Sequence, residues 1–76
     1  MDSTMTFNYH GSRSWCTEIE NRLRSECAQH GLSPTVTPTG RGLIRQDYHV
    51  TIKGPMPALQ EINQWWEKML AAFAQM

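Results

Sequence analysis

Two cysteines, three histidines and a Gly-Arg-Gly turn are the residues of this 76-residue chain whose chemistry could go beyond packing. A thiolate beside an imidazole makes a nucleophile, and clustered thiols and imidazoles hold zinc. Cys16 could meet His10 or His49 for such a pair, and Cys27 stands three residues before His30. Neither arrangement has the doubled close spacings of a zinc site. Cys16 and Cys27 are eleven residues apart, close to three helical turns, so on one helix both face the same way, toward a core. That helix holds them roughly 16 Å apart along its axis, whereas a disulfide spans at most about 7 Å. They are expected as two reduced, buried thiols, which implies a cytoplasmic protein. Burial also denies them the polar, partly exposed setting that activates a thiolate. Gly40-Arg41-Gly42 lacks the spacing of a phosphate-binding loop, and no serine stands in an acyl-transfer elbow. His10 and His49 fall on adjacent strands and could neighbour each other on a wet face. No enzyme, cofactor or metal is predicted.

Composition narrows the classes further. Hydrophobic residues make up 39% and charged residues 18%, which suits one small domain, residues 1–76, with one core. Seven basic and seven acidic residues cancel, whereas binding of nucleic acid without sequence preference needs a basic excess. No run of about 18 apolar residues is present, so no membrane span is expected. The first residues lack the basic and apolar regions of a secretion signal.

The elements follow from periodicity. Residues 1–4 are polar and are expected to be disordered. Met5, Phe7 and Tyr9 alternate with Thr6, Asn8 and His10, a half-buried strand that Gly11 and Ser12 end. Ser12 or Ser14 can cap the helix over residues 13–30, whose apolar stripe is Cys16, Ile19, Leu23 and Cys27. Glu18, Arg22 and Glu26, and Glu20 with Arg24, alternate in sign four residues apart on its solvated side. Gly31 is a helix stop. Residues 33–39 carry β-branched side chains and two prolines, so this second strand must lie at a sheet edge. Tyr48, Val50 and Ile52 alternate with His49, Thr51 and Lys53, the clearest strand of the chain. Residues 58–76 place Leu59, Ile62, Trp66, Met69, Phe73 and Met76 at steps of three and four, a second helix.

Strand, helix, strand, strand, helix is an α+β order. The right-handed crossover rule sets strand one parallel to strand two, with strand three between them. The prediction is a three-stranded sheet of order 1-3-2 with two helices on one face, a truncated ferredoxin-like or ACT-like domain. Strand one then has a free edge with no lysine, proline or bulge to defend it, open to self-pairing or to a partner.

Phe7, Tyr9 and Gly11, the run 33–38, Gly42 and the run 48–52 resemble the pattern of the YbeD-like family of small bacterial proteins. That resemblance implies an ACT-related fold over residues 5–65 and no established enzymatic activity. Two departures stand out: the closing strand is missing, and the loop before Tyr48 is lengthened by residues 43–47.

Protein contact is the function class that remains. Trp65 and Trp66 diverge by about 100° on a helix and cannot both face one core, and partly exposed tryptophan is the residue type most enriched at binding hot spots. Trp65, Leu70 and Phe73 on the last helix, Arg41 and Arg45 on a mobile loop, and Phe7 and Tyr9 on the open edge are the candidate contact residues. A partner protein or a second copy is expected, as in a regulatory domain or a phage-encoded inhibitor such as an anti-CRISPR protein. A small RNA-binding domain using Arg41 and Arg45 is the alternative, although Phe7, Tyr9 and Tyr48 share the core-facing register and leave no aromatic platform for bases.

Overall fold

Alternation, helical stripes and breaker residues produce five elements in the expected order. The computed structural model describes residues 2–42 and 45–74, with β1 (Ser3–Gly11), α1 (Arg13–Gln29), β2 (Thr35–Arg41), β3 (Gln46–Gly54) and α2 (Met56–Ala74). Leu43, Ile44 and Met76 lie outside the described residues, and so does the Arg41 side chain.

Ser12 starts α1, its hydroxyl accepting from the Trp15 N–H at 3.3 Å. This satisfies one of the donors that a helix leaves free in its first turn. Gly31 ends α1 at φ 71°. Its left-handed backbone lets the Leu32 N–H reach the Cys27 carbonyl at 2.9 Å, while the Gly31 N–H reaches that of Ala28 at 3.0 Å. Gly11, between β1 and α1, allows a close approach, since a Cβ there would stand 2.7 Å from the Trp15 ring. Pro57 occupies the first turn of α2, where its missing N–H costs no hydrogen bond.

The sheet order is β1-β3-β2 and both pairings are antiparallel. β1 and β2 therefore run parallel on either side of β3, as the crossover rule predicts. Pro38 sits within rim strand β2, and the register shifts between Pro38 and Gly40. The shift falls where the strand cannot donate a ladder hydrogen bond. One face of the sheet, through Tyr9, Val50 and Ile52, closes on Cys16, Ile19, Leu23 and Cys27 of α1 and on Leu59, Ile62, Trp66 and Met69 of α2. Both helices thus cover the same face. On the other face Thr6, Asn8, His10 and Lys53 are exposed, while His49 and Thr51 are half-buried.

Two expectations about strand extent change. β1 starts at Ser3, and Ser3 and Thr4 pair with Gly54 and Lys53 rather than fraying. The last two residues of the loop expected over 43–47 belong to β3: Gly40 faces Asp47, Arg41 faces Gln46, and the Gly42 N–H reaches the Arg45 carbonyl at 2.8 Å. Polar residues carry no alternation where both faces are wet, yet their backbones still pair. The two histidines of the open face are diagonal neighbours on adjacent strands, as expected. His49 faces Asn8, its Nδ1 lying 2.8 Å from the amide oxygen, and His10 faces Asp47.

Candidate functional site

The rim formed by β1 has an unpaired side. Among the described residues no strand pairs with it. Every second residue of such an edge turns its N–H and C=O outward, so this nine-residue strand offers roughly four or five residues' worth of unmet hydrogen-bonding groups. Its register against β3 runs without a shift, and it contains neither proline nor lysine. The usual protections of an edge are missing.

α2 flanks this rim. Between them lies a groove of about 410 Å³ whose walls include Thr4, Met5, Met56, Leu59, Asn63 and Gln64. Met56 is 50% exposed and Leu70 36%, the large exposed hydrophobic side chains among the described residues. Both belong to a second stripe of α2, Met56, Gln60, Asn63, Glu67 and Leu70, at steps of four and three residues. Glu67 is its one charge, and its carboxylate accepts from the Asn63 amide at 3.4 Å. A helix flank with a single charge therefore stands beside an unpaired strand without acidic residues, lysine or arginine.

The residues expected to form one patch are divided by the helix. Five residues separate Trp65 from Leu70 by about 140° of rotation. Trp65, half-buried, lies on the opposite flank of α2, in a second groove of about 370 Å³ with Arg22, Lys68, Met69 and Phe73. Phe73 is half-buried, edge-on to Trp15 at 5.9 Å, with the Arg22 guanidinium 5.4 Å above its ring. That guanidinium is also held by Glu18 at 2.8 Å. Phe73 thus binds α1 to α2, while Leu70 alone of the three falls on the stripe that carries Met56 and Asn63. Arg45 is exposed at the hairpin, away from that groove's lining.

Phe7 and Tyr9 bring mainly backbone to the edge. The Phe7 ring is half-buried with its centroid 4.3 Å from that of Trp66. Tyr9 is only 4% exposed, with its ring stacked on Tyr48 at 5.2 Å, so a partner cannot touch that side chain. The Tyr9 hydroxyl finds no hydrogen-bond partner, and burial, reinforced by Glu20, pushes it well above the ordinary tyrosine range. Sequence reasoning missed Met56, Gln60 and Asn63. The signal was present, a second heptad-like stripe almost free of charge, but its neighbour is the sheet edge, which only the fold supplies.

Both cysteines are buried free thiols. Burial, with the adjacent Glu26 carboxylate, pushes the Cys27 thiol up to about 11. Burial raises Cys16 also, with a contribution from Asp47, and its Sγ lies 3.8 Å from the Gln46 carbonyl oxygen. Such thiols stay protonated at neutral pH and are poor nucleophiles. Among the described residues no three His, Cys, Asp or Glu side chains cluster closely enough to hold a metal ion, and no helix is long and apolar enough to cross a membrane. No family model matches the chain, and neither a characterised protein nor a solved structure matches it.

Proposed function

We propose that this chain is a non-catalytic protein-binding module that acts by stoichiometric contact, through the free rim of β1 and the adjoining flank of α2. The observation that carries this reading is the undefended nine-residue edge beside a groove that leaves Met56 half exposed. Backbone groups on such an edge supply affinity to an added strand, and the groove supplies specificity through alternate side chains. An ACT-type regulatory domain and a compact phage-encoded inhibitor such as an anti-CRISPR protein would both work this way. The likeness to YbeD-like proteins belongs with the first of these settings.

RNA binding through Arg41 and Arg45 has less support, because the rings of Phe7, Tyr9 and Tyr48 turn toward the helices and leave no stacking surface. The test is affinity capture with quantitative mass spectrometry, comparing the wild type with Leu70→Lys, Trp65→Ala and Arg45→Ala. Near-equimolar retention of one protein, either this chain or another, is expected. Leu70→Lys should abolish it, while Arg45→Ala should not. Retention of no protein in stoichiometric amount, together with a monomeric chain, would refute the proposal.

A further inference from the structure

Resting on that contact reading, we infer that the occupant of the β1 rim is a second copy of this chain, paired antiparallel about a two-fold axis through Phe7. That register uses all nine residues of β1. Phe7 meets Phe7 of the second copy, Met5 meets Tyr9, Thr6 meets Asn8, Thr4 meets His10 and Ser3 meets Gly11. No acidic or basic side chain other than His10 takes part, so no like charges are forced together across the strands. The chain as a whole has zero formal charge, so two copies approach without net repulsion.

The same axis organises the helices. α2 runs along β1 in the same sense: its start at Met56 lies beside Thr4 and Met5, and Trp66 lies 4.3 Å from Phe7 and 5.9 Å from Tyr9 between ring centroids. From Met56 to Asn63 is about 10 Å of helix, the length of roughly three strand residues. Asn63, the middle of this charge-poor stripe, therefore sits close to the axis that passes through Phe7. A two-fold there turns the second α2 antiparallel and brings Met56 of one copy to Leu70 of the other, twice. The two large hydrophobic side chains left exposed by the fold become each other's cover. Glu67 is displaced from the axis, so it meets the Gln60 end of the other helix rather than its own counterpart.

The area suffices. A strand of nine residues is about 30 Å long, and a helix layer on a sheet stands roughly 15–20 Å high, so each copy would cover roughly 500 Å² and the pair about 1,000 Å². That is the lower bound for a specific interface. Its sheet would be six-stranded and continuous.

Sedimentation velocity of the full chain over a concentration series tests this directly. The wild type is expected to dimerise. Met56→Glu and Leu70→Lys, each at an exposed position and each suited to its end of the helix dipole, should weaken the dimer at least about tenfold. Circular dichroism should show both variants folded. Combining the two substitutions in one chain should restore most of the affinity, because each new carboxylate then faces the new ammonium of the other copy. A wild type that stays monomeric, a dimer indifferent to the single substitutions, or a double variant without recovery would each overturn the inference. A monomer that captures a different protein through Met56 and Leu70 would overturn the second copy and keep the contact function. A monomer that captures nothing would overturn both.

Discussion

Replacing Tyr9 by phenylalanine removes a single oxygen atom and leaves each ring contact in place. The ring stacks on Tyr48 at 5.2 Å, tilts against Trp66 at 5.9 Å and meets Trp15 edge-on at 6.3 Å. Its hydroxyl is buried without a partner, a condition that costs about 1–3 kcal/mol in proteins. Removing it recovers most of that and loses a little to the small void left behind. A net gain of about 1 kcal/mol is expected, which for a domain of this size raises Tm by about 4–8 °C. Against a total stability of about 4–11 kcal/mol the change is easily measured.

Tyr48→Phe is the control. Its hydroxyl donates to the Gln46 side-chain oxygen at 2.6 Å, so the same chemical change should cost about 0.5–1.5 kcal/mol. Alkaline titration gives a second readout. The folded state holds the Tyr9 proton beyond the ordinary value of 10.0, where the unfolded chain releases it. Stability from this group is therefore complete below pH 10 and declines as pH rises above it. Tyr9→Phe should flatten that decline. Urea and thermal melts at neutral and alkaline pH are the assay. A Tyr9→Phe variant that loses 1 kcal/mol or more, measured as about that order in repeat melts, would mean the hydroxyl has a partner and that this account of the core is mistaken.

Other expectations follow from single contacts. Leu23→Ala, at a fully enclosed core position, should cost about 2–5 kcal/mol in urea melts and leave the domain near the limit of stability; a loss below about 1 kcal/mol would contradict close packing of α1 on the sheet. Gly31→Ala should cost about 1–2 kcal/mol through its left-handed backbone alone, since nothing lies within 4 Å of the added methyl. An unchanged melting curve would count against the described helix end. Cys27, raised to about 11 by burial and Glu26, should react with an aromatic disulfide reagent only as fast as the chain opens. Because its folded value lies above the ordinary thiol value of 9.0, its contribution to stability is intact below pH 9 and fades toward pH 11. Rapid labelling at neutral pH without unfolding would refute its enclosure.

The helices were legible because each needs only its own neighbours. Cys16, Ile19, Leu23 and Cys27, and Leu59, Ile62, Trp66 and Met69, are periodic in sequence and buried in the fold. Topology was legible for a related reason. Pro38 excludes β2 from the centre, chain handedness sets β1 parallel to β2, and a hairpin between β2 and β3 then leaves the order β1-β3-β2. Strand ends were not legible, because Ser3, Thr4, Gln46 and Asp47 pair through backbone groups common to all residues and carry no side-chain pattern.

The contact surface divides along the same line. From its residues alone the chain determines which helix is poor in charge and which strand lacks protection, since both are properties of local composition. The angles among Trp65, Leu70 and Phe73 are fixed by helical periodicity, but which of them meets the sheet, the first helix or solvent depends on how the helix is rotated against a particular sheet. Only tertiary packing sets Met56 and Asn63 beside Thr4 and Met5 at the rim of β1 and turns Trp65 and Phe73 toward Arg22 on α1. Proximity between segments some fifty residues apart in the chain is created by burial of the common core, and no local pattern encodes it.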